Sequence, residues 1–294
     1  MPAPEPRARP VEILGWLCIW NALYVAAALI IIQRLIGRHP SPRPALAASL
    51  IALATYATDR VKLHRIWRDP ADEHAHPRRA EFYRVHARPL RIALIIVFLA
   101  AAAACWSIHP AAIFLPLGSV TGVILYAGPR IRGARVKDRL ILKNAAVAAS
   151  IIALCLALIG FDALAADAVD ALPLAALAAA SGIILLQVFT DAVLCDLTDR
   201  ESDAAHGTRT IPVVRGPRPA RWIALALQFV ISAAAAAAGF ALLTTTPALL
   251  FASLTLIGAA ILHGVPDRFL RDATDLRLSL VALPLILAHA LGGG

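Results

Sequence analysis

The densest grouping of chemically capable residues runs from Asp191 to Pro212, where the chain reads DAVLCDLTDRESDAAHGTRTIP. Asp196, Asp199 and Asp203 follow a DxxDxxxD spacing. At about 100° per residue, the three point within about 60° of one another on a helix. Three carboxylates crowded on one face repel, and a hard divalent cation among them removes the repulsion. Their oxygens suit magnesium, which keeps several waters and binds substrate phosphates alongside one or two carboxylates. Gly207 is placed to end such a helix and Pro212 to prevent its continuation. The same run also reads as a solvated acidic loop in which Arg200 and Arg209 pair with the acids. Asp191 points about 140° away from Asp196, on the side of Gln187. Within an apolar segment it is either a functional group or the partner of a neighbouring helix.

A second polar cluster starts at Asp59, followed by Arg60, Lys62, His64, Arg65 and Arg68, then by Asp69, Asp72, Glu73, His74 and His76. Asp59 can ligate a metal with Asp69 or Asp72 folding back, while Arg60, Lys62 and Arg65 can bind phosphate oxygens directly. Alternatively these cations meet anionic lipid headgroups. The Asp72–His76 group has no cysteine nearby and a weak His-Ala-His spacing, so it reads as a polar loop rather than a zinc site. A third cluster follows Tyr126: Arg130, Arg132, Arg135, Lys137, Arg139 and Lys143, six basic residues within 14 positions, then Asn144. Guanidinium groups suit bidentate phosphate contact. A basic loop on the cytoplasmic side of a membrane protein also arises from topology alone.

These clusters need elements to position them, and composition says which. The 294 residues are 60% apolar and 16% charged, with a net charge of +9. Soluble domains carry about 25% charged residues, so a disordered chain is excluded and the composition argues against a soluble enzyme. With 6% aromatics there is no evident platform for stacking bases, and the positive charge points to a membrane surface rather than nucleic acid. No obligate protein partner is indicated. A bilayer-spanning helix takes about 20 mostly apolar residues. That length predicts an all-α integral membrane protein of about nine transmembrane helices, near residues 11–32, 45–65, 89–106, 110–127, 141–161, 171–195, 219–241, 246–264 and 276–291. The breaks at His109-Pro110 and Thr244-Thr245-Thr246-Pro247 each rest on little. With the N-terminus in the cytoplasm, 25 of the 28 Lys and Arg residues fall on the cytoplasmic side, as the positive-inside rule requires. The chain thus divides into a Pro-rich cytoplasmic tail, residues 1–10, and one membrane domain, residues 11–294, with its functional face at the cytoplasmic end. The first run lacks a clear cleavage site and is read as an uncleaved helix. Cys18, Cys105, Cys155 and Cys195 are read as small core hydrophobes, and Asp267, Asp272 and Asp275 as a solvated connection.

The run DLTDRESDAAHGTRTIPVVRG resembles the second aspartate-rich motif of the UbiA-type intramembrane prenyltransferases. That motif typically places Asn before DxxDxxxD, then a glycine and a basic-Thr-Leu/Ile-Pro ending; Cys195 stands in place of the Asn. The family has nine membrane helices with cytoplasmic acidic motifs after helices 2 and 6, and the count and position agree. The first motif, commonly NDxxDxxxD, is degenerate here: Asp59 is kept, Thr58 replaces Asn, and Lys62 and Ile66 replace the later aspartates. It is closer to a TYxxDR…D…R…F pattern matched by Tyr56, Asp59, Arg60, Asp72, Arg79 and Phe82. The resemblance implies Asp59, Asp196 and Asp199 as catalytic groups, and Mg2+ held by Asp59, Asp72, Asp196, Asp199 and Asp203. It implies Arg60, Tyr126, Arg130, Lys137, Lys143 and Arg209 as diphosphate ligands, with Tyr56, Asn144 and Asp191 less defined. The implied activity is Mg2+-dependent ionisation of a polyprenyl diphosphate and transfer to an aromatic, quinone-precursor or lipid acceptor. A UbiA-type terpene cyclase, a non-catalytic lipid-diphosphate-binding homologue and a transporter remain open.

Overall fold

The structure is a computed structural model that describes residues 9–61, 70–127 and 139–291. The described residues form helices and connections, with no strand among them. In chain order these are α1 (Pro10–Trp16), α2 (Ile19–Leu35), α3 (Pro42–Val61), α4 (Pro70–Ala75), α5 (Pro77–Val85), α6 (Ala87–Ile108), a 3-10 turn (Pro110–Ile113) leading into α7 (Phe114–Ala127), α8 (Leu142–Ala165), α9 (Leu174–Ala205), α10 (Ile211–Arg215), α11 (Pro217–Ala241), α12 (Thr245–Gly264) and α13 (Asp267–Leu291). Among the described residues, six helices are long and apolar enough to cross a bilayer: α6, α8, α9, α11, α12 and most of α13. The bent pair α1–α2 brings the number to seven. Among the described residues, length and composition alone thus account for up to seven of the nine expected spans. The 14-residue α7 is short, and α3 spends Arg43, Asp59 and Arg60 within its 20 residues.

The expected span at residues 11–32 is not one straight helix. The chain breaks at Cys18, whose φ of 62° is left-handed, and α1 and α2 meet at 67°. What holds α1 aside is polar and aromatic contact with α5. Glu12 pairs with Arg78 at 3.6 Å, the Trp16 ring lies 5.4 Å from Phe82, and Tyr83 donates a hydrogen bond to the Trp16 carbonyl.

Two helices run beyond the expected membrane spans, and both extensions carry the site. α9 continues ten residues past position 195, to Ala205. Its 32 residues span about 48 Å, well beyond a hydrocarbon core of about 30 Å, so the acidic stripe rides on the helix itself. Gly207, at φ 74°, then reverses the chain, and the Thr208 amide donates to the Asp203 carbonyl at 2.9 Å. This is the glycine stop read from the sequence. α13 begins at Asp267 rather than near 276. The acids assigned to a solvated connection are thus helical, because Arg271 and Arg277 on the same helix turn towards carboxylates of α9.

Packing follows from small residues. Alanine-rich α11 and α12 come so close that a Cβ on Gly239 would lie 2.8 Å from the Ala248 Cβ. Such approach is how helices associate in lipid, where there is no hydrophobic drive between them. The core is filled by side chains such as Leu29, Ile31, Ile51, Leu158, Ile184 and Phe251, each at most 1% exposed. Ile92, Ile95, Ile96 and Leu99 of α6 are each 61% exposed and lie at helical spacing, the stripe expected of a face turned to lipid. Gly239→Leu is expected to lower the melting temperature in detergent by several degrees, through overpacking of about 1–3 kcal/mol. Gly160→Ala, with no atom within 4 Å of its added Cβ, should leave it unchanged or slightly raised. Circular dichroism melting checks both.

Candidate active site

α9 is the axis of the site. Asp196, Asp199 and Asp203 share one side of it, and each meets a different partner. Asp196 accepts from the Asn144 amide at 3.0 Å and pairs with the Lys143 ammonium at 2.7 Å. The same ammonium reaches Asp203 at 3.3 Å. Asp199 is held by Arg271 of α13 on one oxygen and by His76, 2.9 Å away, on the other. Asp196 and Asp203 are 3% and 7% exposed. Carboxylates this buried persist as anions only with compensating charge, and α8 and α13 supply it.

Apart from His76, these residues line a cavity of about 230 Å³ together with Tyr56, Asp59 and Arg60 from the end of α3 and Tyr126 from the end of α7. The positions read from the sequence as Asp59, Arg60, Tyr56, Tyr126, Lys143, Asn144, Asp191, Asp196, Asp199 and Asp203 therefore converge on one space, although up to 147 residues separate them along the chain (Tyr56 to Asp203). Arg209 does not join them. It is exposed and sits outside the lining, where Thr208 takes its place. Asp72 lies on α4, and Arg130 and Lys137 fall outside the described residues. The deeper wall is apolar, with Val147, Ile151 and Val188.

Asp191 answers to the pairing alternative. Its carboxylate pairs with Arg277 at 2.7 Å and accepts from the Tyr24 hydroxyl at 2.8 Å and the Gln187 amide at 3.0 Å. Arg277 and Asp191 are 5% and 3% exposed. This buried pair ties α2, α9 and α13 together at the inner end of the cavity.

His76, at the start of α5, is half-buried. Burial pushes its imidazole below the usual histidine range, the Arg79 and Arg271 charges push the same way, and the Asp199 hydrogen bond opposes them. With the Asp199 carboxylate oxygen 2.9 Å away, Nε2 is assigned the proton and donates it to Asp199.

The donor set suits magnesium at one place. Among the described residues no three acidic, histidine or cysteine groups converge as a preformed cage. Magnesium needs none, since one or two carboxylates plus water and phosphate oxygens suffice. Lys143 stands in for such a cation: its ammonium marks where Asp196 and Asp203 jointly require positive charge. Both oxygens of Asp199 are occupied by His76 and Arg271, as those of Asp196 are by Lys143 and Asn144.

The model of the UbiA prenyltransferase family matches residues 81–280. The chain belongs to that family. The match begins after Asp59, in keeping with the altered first motif. No curated protein matches the sequence. Among solved structures, the fold is similar to a UbiA homologue from Archaeoglobus fulgidus (TM-score 0.58, 12% identity, 94% of this chain and 98% of that one). The structure of that homologue bound to DMAPP and Mg2+ has a TM-score of 0.56 at 13% identity, over 95% and 98% of the two chains. A digeranylgeranylglyceryl phosphate synthase is similar at a TM-score of 0.51 and 12% identity, over 93% and 94%. With its apolar helices and this membership, the protein is a multi-pass integral membrane protein.

Within the UbiA fold, Arg271 and Arg277 went unread in the sequence, and Asp275 and the Asp199-bound His76 were read only as a solvated connection and a polar loop. Asp275 lines the cavity beside the Cys195 thiol, 3.9 Å away. Their signal was available, since charges at 271, 275 and 277 sit at or near helical spacing beside an apolar run. Asp191→Asn is expected to destabilise the protein by about 3–5 kcal/mol, because Arg277 is left buried without its counterion. Asp191→Leu with Arg277→Met should recover most of that loss. Thermal denaturation in detergent of the single and double variants reads the difference.

Proposed function

We propose that the protein is a membrane prenyltransferase that binds a polyprenyl diphosphate with its head between α3, α8 and α9 and its tail along the apolar wall. The observation that carries this reading is the juxtaposition of Lys143 with Asp196, Asp203 and Asn144 at the polar end of the cavity. An ammonium has three N–H donors. Two meet Asp196 and Asp203, which leaves one for a diphosphate oxygen. Asp59, Asp196 and Asp203 would hold magnesium, which when bound neutralises charge on the leaving diphosphate. Binding of DMAPP and Mg2+ by the Archaeoglobus fulgidus homologue supports the choice of ligand and ion.

The chain's own groups do the rest. Lys143 offsets negative charge as the allylic C–O bond lengthens. Val147, Ile151 and Val188 keep water from the developing carbocation. The acceptor, an aromatic, quinone-precursor or lipid molecule, then captures the cation. The charge asymmetry of the sequence supports a cytoplasmic site. Three of the four tyrosines, Tyr24, Tyr56 and Tyr126, line the cavity. Their electron-rich faces can steady a cation, which favours as a second reading a terpene cyclase in which the cation attacks its own chain.

Purified protein with Mg2+ and C10 to C20 prenyl diphosphates should release diphosphate. Asp196→Asn should reduce the rate by about 10²-fold or more without lowering the melting temperature. Unchanged release in that variant would remove the ionisation site from α9. Release that requires an added acceptor identifies transfer, and a cyclic hydrocarbon or alcohol without acceptor identifies cyclisation.

A further inference from the structure

The end of the bundle away from the acidic stripe holds a second cavity, of about 370 Å³, between the end of α2, the start of α12 and the end of α13. α13 reaches both cavities. Its Arg271 and His289 are 18 residues apart, about 27 Å along a helix, close to a hydrocarbon thickness of about 30 Å. Arg34, His39 and His289 offer hydrogens in this second cavity, and no acid lines it among the described residues. Arg34 Nη1 donates to the Arg38 carbonyl at 3.3 Å, while its Nε is buried and has no acceptor among the described residues. The chain then turns at Gly37, φ 78°, and His39 Nδ1 lies 2.7 Å from His289 Nε2. One proton fits between those nitrogens. Whichever ring gives it, the other imidazole carries its own proton on its second nitrogen, so the pair keeps one N–H for an outside acceptor. Pro247, Leu250, Leu285 and Ala288 supply an apolar wall.

We propose that this cavity binds the phosphate headgroup of an anionic membrane lipid, with Arg34 and the His39–His289 pair on the phosphate and an acyl chain along Leu250 and Leu285. The charge pattern of the sequence supports this. Arg34, Arg38 and Arg43 are the three of the 28 Lys and Arg residues left outside the cytoplasmic count. A basic group there runs against the positive-inside rule and calls for an anion of its own. A buried guanidinium hydrogen without an acceptor is costly, and a phosphate oxygen removes that cost. Imidazole nitrogens also suit a transition metal. This pair, however, has no third ligand among the described residues and shares its cavity with a permanent cation. The apolar wall selects a lipid over a free phosphate ion, and basic pockets between membrane helices are suited to such headgroups. The site is separate from the acidic stripe and does not depend on the chemistry proposed there.

The test titrates the full-length protein in detergent with phosphatidylglycerol, phosphatidylcholine and inorganic phosphate, and counts bound lipid by native mass spectrometry. Phosphatidylglycerol should bind one site about 10-fold or more tightly than phosphatidylcholine, the worth of a charge-assisted contact, and inorganic phosphate at equal concentration should not displace it. Arg34→Gln should raise that Kd about 10-fold or more, and Arg34→Lys should recover part of the loss. His39→Gln, at an exposed position, should weaken binding about 3-fold. Arg88→Gln, which removes an exposed cation at the start of α6, should leave it unchanged. A phosphatidylglycerol with a photoreactive acyl chain should label the peptides that contain Leu250 and Leu285. Melting temperatures establish that each variant is folded, and labelling of the wild type decides the matter if Arg34→Gln is not. Equal affinity for the two lipids would overturn the role of the anion. Displacement by inorganic phosphate would replace the lipid with a free ion. Labelling confined to other peptides, or a folded Arg34→Gln protein that binds as wild type, would overturn the site. Zn2+ bound by the wild type and lost in His39→Gln would make the pair a metal site instead.

Discussion

Four carboxylates on one membrane helix cannot stay ionised without cations brought from elsewhere in the fold, and much of this structure answers that requirement. Asp191, Asp196, Asp199 and Asp203 lie along α9 between its middle and its end. An isolated carboxylate in a low-dielectric interior carries a desolvation cost of several kcal/mol. Lys143 from α8 and Arg271 and Arg277 from α13 meet that cost at three levels. The helices that bring these cations are therefore fixed against α9 by charge as well as by packing. In lipid, where apolar faces gain little by meeting each other, polar contacts of this kind and small-residue approach set the arrangement.

The same compensation gives the cavity two different ends. At the inner end, Asp191 and Arg277 neutralise each other with help from Tyr24 and Gln187, and no ligand is needed to complete them. At the outer end, one ammonium is shared by Asp196 and Asp203, while Asn144 supplies a neutral donor. The first arrangement is a structural tie. The second leaves two carboxylates against one cation, which suits a site that takes up further positive charge together with a polyanionic head. This difference in charge balance supports a proposal of chemistry at the outer end and scaffolding at the inner end.

The altered first motif fits this picture. Lys62 occupies a position where the family pattern has an aspartate, and Arg60 follows Asp59 directly. Arg60 lines the cavity beside Asp59 and adds a fixed cation on the α3 side, while Lys62 lies outside the described residues. A diphosphate head can be held by fixed guanidinium and ammonium groups as well as by metal ions.

Read alone, the sequence determined the class and the axis of the site. Apolar runs of about 20 residues made a membrane protein of it, because length and hydropathy are local properties. The DxxDxxxD spacing put Asp196, Asp199 and Asp203 on one face, and Gly207 marked the reversal, because helical periodicity and left-handed φ are also local. Asp59, Tyr126, Lys143 and Asn144 were legible through the family resemblance. Partnership was not legible. Whether Asp191 acts or is paired, why the first helix breaks at Cys18, and why the acids near 272 and 275 belong to a helix rather than a loop all depend on residues more than 50 positions away. Only the tertiary structure decided these points. The energy of a buried charge is set by what lies within a few ångströms of it in space, and chain distance carries no information about that.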